Sequence, residues 1–510
     1  MSPWFYSGIV VVYVLVMLAV GYACMRRTKS VGDFFLGGRT LGPWMSAFAY
    51  GTTYFSAVLF IGYAGKLGWG FGIHTMWIVA GNTLIGTLLA WKVLAGRTRD
   101  MTTRLNAITM PEFLRARYGS RPLQVIAALV VFVFLVPYSA SVLMGLSYLF
   151  EMTLRISYEQ ALYFLTALTA VYLVMGGYFA VAVSDFIRGI VEFAGVLIMV
   201  YLLAHRPETG GFVSATQRLL SDPTMAPGLG AAKALGAGTA LAVTVPGWLT
   251  LTALVLITSF GPWALPQMVQ KFYSIRSRAD VTRAMTIAGL FALFMAFGAY
   301  YSGALTHLFY GPKLPAELLG PKGPIWDKIM PHFITTSGLP VTLVLIIVLM
   351  VFSASMSSLS SLVLVSSSAI AIDLYGAFTD RHAQARRTML LLRWLCAVFV
   401  GCSLVIALKR PVFIVNLMIM SWGTLLGVFL APYVFGLFWR RTSTAGVYAG
   451  MGVGLGSALV LFPAWGQDGV PLAGAITMVL PLIVVPVVSW LTPPPRPDLV
   501  RLAFGDGEKT

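Results

Sequence analysis

Charged residues are scarce in this sequence: Asp, Glu, Lys and Arg together make up 10% of its 510 residues. A soluble domain carries about 25% charged residues, so a water-exposed surface of ordinary size is excluded. No Walker A motif is present, which argues against ATP-driven transport by this chain alone. The three cysteines and five histidines show neither metal-ligand spacing nor a disulfide framework, and the cysteines are interpreted as buried thiols.

Apolar residues are abundant instead, at 58% of the chain with a mean hydropathy of +0.84. Lipid offers no hydrogen bonds to the backbone, so spans must be helices or a closed barrel. The apolar runs are too long and uniform for barrel strands. The sequence therefore predicts an all-α polytopic membrane protein. Thirteen spans are expected, near residues 5–25, 42–68, 72–94, 122–150, 158–178, 182–204, 240–268, 283–308, 339–372, 388–408, 411–438, 444–463 and 471–492.

Basic residues indicate the orientation of these spans. With the C-terminus inside, alternate loops place 25 of the 35 Lys and Arg on the cytoplasmic side, as the positive-inside rule favours. The N-terminus is expected outside, in a plasma (inner) membrane. The net charge of +17 is spread over short loops rather than one patch, so no nucleic acid partner is expected. Residues 493–510 are predicted to form a flexible cytoplasmic tail.

Two spans carry breaks. The second contains the small, hydroxyl-rich stretch GTTYFS at residues 51–56, which either allows close helix packing or marks an unwound point whose carbonyls face a cavity. The seventh contains Gly261, Pro262 and Pro266, and proline removes a donor from the helical ladder. Broken helices at matching places in two halves favour a transporter core with inverted repeats.

Polar side chains are concentrated in the ninth span and at the start of the sixth. Ser357, Ser360 and Ser361 share one helical face, flanked by Ser358; such hydroxyls bond either their own backbone or a hard cation such as sodium. An acid within a span is usually functional. Asp185 and Glu192 qualify, although Arg188 lies between them at salt-bridge spacing and allows a purely structural ladder.

Four segments form a characteristic series along the chain. They are DFFLGGR at 33–39, GGYFAVAVSDFIRG at 176–189, SSSAIAIDLY at 366–375, and GLFWRRT at 436–442 followed by Gly446. In sequence and in order they resemble the motifs of the sodium:solute symporter family. The resemblance implies a five-plus-five inverted-repeat, LeuT-like core with one helix before it and two after. The implied divisions are a peripheral helix within 1–30, repeats at 42–204 and 240–439, two peripheral helices at 444–492, and the tail at 493–510.

By the same resemblance, a first sodium ion would bind the carbonyls of Thr52, Phe55 and Ala354 and the hydroxyls of Ser357 and Ser358. A second sodium, found in some members, would use Ser357, Ser360, Ser361 and Asp185. Members often have Gln where this chain has Arg188, and that arginine could tether Asp185 and weaken the second site. One or two sodium ions are therefore expected.

The resemblance indicates the solute contacts less directly than the sodium ligands. The stretch PYSAS at 137–141 resembles that of proline-transporting members, whereas Tyr54 stands where those members have an acid. The expected solute is a small amino acid such as proline, or a monocarboxylate, because a broken helix offers a positive dipole end to a carboxylate. The expected contacts are Tyr54, Ser56, Trp77, Tyr138, Thr258, Trp263, Gln267 and Trp422.

The function expected from these features is sodium-coupled import of a small organic solute by alternating access. No nucleophile–base set suggests an enzyme. The alternatives are a proton-coupled symporter or a transporter-like sensor that acts with a separate signalling partner. A channel is disfavoured by the lack of a filter motif. The partners are thus sodium, solute and membrane lipid.

Overall fold

The computed structural model describes residues 3–25, 40–175, 178–321, 323–379 and 385–505. Helices dominate, because a helix satisfies its own backbone hydrogen bonds where lipid cannot. In chain order they are α1 (Pro3–Met25), α2 (Pro43–Tyr54), α3 (Ala64–Phe71), α4 (Met76–Thr83), α5 (Gly96–Arg104), α6 (Met110–Tyr118), α7 (Arg121–Leu154), α8 (Tyr158–Met175), α9 (Tyr178–Ala204), α10 (Phe212–Ser221), α11 (Pro227–Gly230), α12 (Gly247–Ala264), α13 (Pro266–Tyr273), α14 (Arg278–Tyr310), α15 (Ile329–Thr336), α16 (Val341–Ser368), α17 (Ala385–Lys409), α18 (Ile414–Phe438), α19 (Thr444–Leu491) and α20 (Pro497–Phe504).

Shorter elements join or extend these helices. The π-helical segments are Val58–Tyr63, Leu84–Leu89, Trp91–Ala95 and Ala369–Leu374. The 3₁₀ turns are Gly72–Thr75, Pro223–Met225, Ala316–Leu318, Trp326–Lys328 and Tyr375–Ala377. Two small antiparallel hairpins pair β1 (Ala232–Leu235) with β2 (Val243–Pro246), and β3 (Leu319–Gly320) with β4 (Gly323–Pro324).

Within the described ranges, nine helical stretches are long and apolar enough to cross a membrane. Two of them, Val58–Arg104 and Thr444–Leu491, have 47 and 48 residues, which is about 70 Å of helix against a hydrocarbon core of about 30 Å. Each contains two helices joined at a glycine with positive φ, Gly72 (53°) and Gly466 (58°). Every predicted span thus overlaps a helix, and the number of crossings stays a prediction.

The start of the seventh span differs from the prediction. Residues 240–246 were expected to be helical, but the helix begins at Gly247, and Ala232 pairs with Pro246 in the preceding hairpin. Val243, Thr244 and Val245 are β-branched and favour a strand. The third span also runs beyond residue 94, because π segments and α5 continue it to Arg104.

The prediction of a flexible tail is wrong for residues 497–504. They form α20, and the ring of Phe504 is 2% exposed. The guanidinium groups of Arg97, Arg117 and Arg440 lie 5.7, 5.1 and 5.3 Å from the ring centroid. Cation–π contacts and apolar burial hold this helix against the end of the bundle.

The interior is organised around α16. It packs against α7 and α9, and it also contacts α2 and α13, the halves that adjoin the two breaks. The long helix α14 packs along α2, α3 and α4. The motif at 33–39 and Gly176–Gly177 lie outside the described residues.

Candidate functional site

The second span is interrupted immediately after α2. Phe55 has φ −110° and ψ 131°, which is extended backbone. The N–H of Ala57 donates to the hydroxyl of Ser355 on α16 at 2.9 Å, whereas in a continuous helix it would donate to the carbonyl of Thr53. Gly51 also allows close packing, because an added Cβ would lie 2.3 Å from the ring of Phe291. The GTTYFS stretch is therefore closely packed at Gly51 and interrupted at Phe55.

A first group of oxygens surrounds Ser358 at this interruption. Its hydroxyl oxygen lies 3.2 Å from the carbonyl of Thr52, 3.1 Å from that of Thr53 and 3.4 Å from that of Phe55. One hydroxyl has one proton, so it can donate to only one of these carbonyls at a time. Ala354 is buried one turn earlier on α16. This donor set of neutral oxygens fits a hard monovalent cation.

Ser357 points to a second group of oxygens. Its hydroxyl lies 2.8 Å from Thr52 Oγ1 and donates to Asp185 Oδ1 at 2.7 Å. Ser361 Oγ lies 3.0 Å from Thr53 Oγ1. Ser360 donates to the carbonyl of Met356 in its own helix at 2.6 Å. The structure thus gathers Ser357, Ser361 and Asp185 into one buried cluster, which we call the Asp185 cluster.

Lys271, which follows the predicted seventh span, lies in the Asp185 cluster. The ammonium of Lys271, on α13, donates to Ser361 Oγ at 3.1 Å and lies 3.9 Å from Asp185 Oδ2. Arg188 Nη1 lies 3.7 Å from Asp185 Oδ1. Asp185, Arg188 and Lys271 are each at most 1% exposed. One carboxylate is therefore flanked by two protein cations. Lys271 follows the Pro266 break by only five residues, which is the signal that could have placed it within the span.

A small central cavity lies beside the interruption, with a volume of about 20 Å³. Such a volume holds about one water molecule, so a solute requires the walls to separate. Trp422 stacks on Tyr54 at 6.2 Å between ring centroids and meets Tyr138 edge-on at 5.6 Å. The predicted contacts that line the cavity are Tyr54, Ser56, Tyr138, Thr258 and Trp422.

Three further polar residues line this cavity and were missed in the sequence: Tyr63, Asn82 and Tyr300. The Tyr63 hydroxyl, Asn82 Oδ1 and Trp422 Nε1 are buried without a hydrogen-bond partner among the residues that the structure describes. Buried polar groups normally find partners. Asn82 was identifiable as a lone amide within an apolar span, whereas the two tyrosines look like ordinary packing residues.

The other predicted solute contacts are not among the cavity-lining residues. Trp77 is 67% exposed on the outer surface of the bundle. Trp263 Nε1 donates to the carbonyl of Ile85 at 3.0 Å, and Gln267 is buried in the first turn of α13. Tryptophans at such places serve packing or the membrane interface.

Comparisons with known proteins agree with this architecture. A model of the sodium:solute symporter family matches residues 34–454. The osmoregulated proline transporter OpuE of Bacillus subtilis is 27% identical over 509 residues, 98% of this chain and 97% of its own length. The sodium/proline symporter of Escherichia coli is 28% identical over 468 residues, 90% of this chain and 87% of its own.

Among solved structures, the substrate-bound outward-open state of a Na⁺-coupled sialic acid symporter is similar to this fold. The match has a TM-score of 0.72 at 18% sequence identity and covers 96% of this chain and 98% of that one. At that identity the likeness concerns the fold, which is that of LeuT-like symporters.

Proposed function

The chain belongs to the sodium:solute symporter family, and we propose that it imports a small zwitterionic amino acid, with proline as the first candidate, together with sodium. It is a multi-pass membrane protein and a sodium-coupled symporter, and its relatives are transporters rather than enzymes. The solute, the ion-binding residues, the two repeats at 42–204 and 240–439, and the orientation of the termini are parts of the proposal.

The observation that carries the sodium proposal is the convergence of three main-chain carbonyls on Ser358. Thr52, Thr53 and Phe55 belong to the interrupted second span, and Ser358 belongs to α16. An ion bound by both segments would fix their junction, which separates when either segment moves. We propose that sodium entering from outside orders this junction and so completes the neighbouring solute site.

The polar groups of the central cavity support a zwitterion. Within the described part of the chain, the Tyr63 hydroxyl and Trp422 Nε1 are donors without a partner, which suit a carboxylate, and Asn82 Oδ1 is an acceptor without a partner, which suits an amine. A monocarboxylate would leave Asn82 Oδ1 without a partner, and an unpaired buried acceptor costs about 1–3 kcal/mol. The names of the two proline-transporting relatives point the same way.

Transport would follow from separation and closure of the cavity walls. Since the cavity holds only about 20 Å³, solute binding requires an opening on one side, and release requires one on the other. An inside-negative potential contributes about 2.3 kcal/mol per sodium charge per 100 mV. Import is therefore expected to be electrogenic and to concentrate the solute.

The test is uptake of radiolabelled proline into proteoliposomes under an imposed sodium gradient, with amino acids and monocarboxylates as competitors. Replacing Ser358 by alanine should raise the half-saturating sodium concentration about tenfold or more, because a bond to a charged group contributes about 1.5–3 kcal/mol. Ser368→Ala is the matched control, since the Ser368 hydroxyl donates to the Val365 carbonyl of the same helix at 2.6 Å.

Uptake that follows a proton gradient and ignores sodium would contradict the coupling. Inhibition by monocarboxylates but not by amino acids would contradict the zwitterion while leaving the coupling intact. A protein that binds proline without moving it would favour the sensor.

A further inference from the structure

We propose that the ammonium of Lys271 is the resident cation of the Asp185 cluster, so that one sodium ion rather than two accompanies each solute molecule. This inference rests on the proposed sodium-coupled function and specifies its stoichiometry. The residues expected to hold a second sodium are present, but they do not fit a second ion, because a protein cation already lies among them.

The Lys271 ammonium and a second sodium ion would compete for the same oxygens of the cluster. Lys271 Nζ lies 3.1 Å from Ser361 Oγ and 3.9 Å from Asp185 Oδ2. An ion coordinated by Ser361 Oγ and Asp185 Oδ2 would have to lie between the two oxygens that the ammonium already faces. Of the other two predicted ligands, Ser360 donates to the Met356 carbonyl in its own helix and Ser357 donates to Asp185 Oδ1.

Asp185 already has two protein cations beside it. Arg188 Nη1 lies 3.7 Å from Asp185 Oδ1, and Lys271 Nζ lies 3.9 Å from Asp185 Oδ2. A sodium ion at this place would be a third positive charge beside one carboxylate. At about 4 Å and the effective dielectric of a protein, the repulsion between two unit charges weakens binding by about a thousandfold.

The position of Lys271 in the chain gives the tethered charge a structural role. It is carried by α13, the short helix that follows the interruption at Leu265, and it reaches α16 and α9. The ammonium therefore links the second broken span to the helix that contributes Ser358. A diffusible ion at this place would leave with the solute, whereas a side chain stays and carries no charge across the membrane.

The number of sodium ions per solute molecule can be measured directly on the wild-type protein. The ratio of ²²Na⁺ to proline taken up by proteoliposomes is expected to be one, and the count of sodium ions bound to the purified protein in calorimetric titration is expected to be one. A ratio or a count of two overturns the inference. Uptake that does not depend on sodium would instead contradict the proposed function, so the two failures are distinguishable.

A variant tests the role of the charge. Lys271→Met keeps the length of the side chain and removes the ammonium, and it is expected to bind two sodium ions, with the second lost again in Lys271→Met/Ser361→Ala. Lys271→Arg, which keeps the charge, should bind one. Sodium-dependent thermal stabilisation reports that each variant is folded. A folded, sodium-stabilised Lys271→Met protein that still binds a single ion overturns the inference.

Discussion

At the scale of single residues, Asp327 connects the 3₁₀ turn Trp326–Lys328 with the membrane bundle. Its carboxylate is 4% exposed and accepts from the N–H of Ile414, the first residue of α18, at 3.3 and 3.2 Å. Burial raises the pKa of Asp327 to about 7, although the bond from Ile414 and the nearby Lys66 act in the opposite direction. An unfolded aspartate has a pKa of about 3.9.

The sign of the resulting pH dependence follows from proton uptake. Between about pH 4 and pH 7 the folded protein holds a proton on Asp327 that the unfolded chain lacks, so stability falls as pH rises through this window. The loss amounts to at most about 4 kcal/mol, at 1.36 kcal/mol per pKa unit. Asp327→Asn stays neutral and still accepts from Ile414.

We therefore expect the melting temperature of Asp327→Asn to exceed that of the wild type by several degrees at pH 8, with a much smaller difference at pH 5. Asp468→Asn is the control, because the Asp468 side chain is 68% exposed and pairs with Lys233 at the surface. Parallel melting curves for Asp327→Asn and the wild type across this range would contradict the assignment.

The residues of the candidate site differ in how far the sequence predicted them. Ser358 and Ser361 were identifiable because helical spacing and a run of hydroxyls can be seen within one segment. The Thr53 carbonyl and the partners of Lys271 were not, since their roles depend on packing between segments that are far apart in the chain. Lys271 looks like one more basic residue before a short loop, and its position five residues after Pro266 was the only sequence signal that it lies within the span.

At the scale of elements, the breaks were predictable and several helix ends were not. The structure interrupts the second span at Phe55 and the seventh at Leu265. The first interruption is predicted by Gly51 and its hydroxyl-rich neighbours, and the second by Pro262 and Pro266. The hairpin before Gly247 was missed because its apolar residues continue the hydropathy of the span. The packing of α20 was missed because its stability comes from arginines elsewhere in the chain.

The part of the second span that follows the interruption, α3, is in direct backbone contact with α14. An added Cβ at Gly303 would lie 2.1 Å from the carbonyl oxygen of Ala64, and one at Gly68 would lie 2.4 Å from the carbonyl carbon of Gly303. Backbone atoms cannot give way as a flexible side chain can. The two glycines therefore fix how α3 meets α14.

Gly303→Ala should accordingly lower the melting temperature, since overpacking of this kind costs about 1–3 kcal/mol. Gly401→Ala is the matched control: it lies in the interior of α17, and an added Cβ there meets nothing within 4 Å. Alanine favours a helix over glycine, so the control should keep or slightly raise the melting temperature. Equal melting temperatures for the two variants would show that α3 and α14 adjust freely.

At the scale of the whole molecule, the distribution of basic residues predicts which end faces the cytoplasm. Arg97, Arg117 and Arg440 come from segments assigned to the inside, and all three surround Phe504 near the C-terminus. Spans of alternating direction would bring these segments to one end of the bundle, as the contacts with Phe504 require. Since basic loops resist translocation, the end that carries α20 is expected inside.

Reporter fusions in a bacterial host test this orientation. A fluorescent protein fused after Thr510 should fluoresce, because it folds in the cytoplasm, and alkaline phosphatase at the same place should be inactive. The reverse pattern is expected for fusions before Met1, since thirteen crossings put the termini on opposite sides. Cytoplasmic reporters active at both ends would mean an even number of crossings. That result would contradict an inverted-repeat core with one helix before it and two after it. Inversion of both signals would instead keep the fold and place the proposed sodium entry on the wrong side, so the experiment separates the topology from the direction of transport.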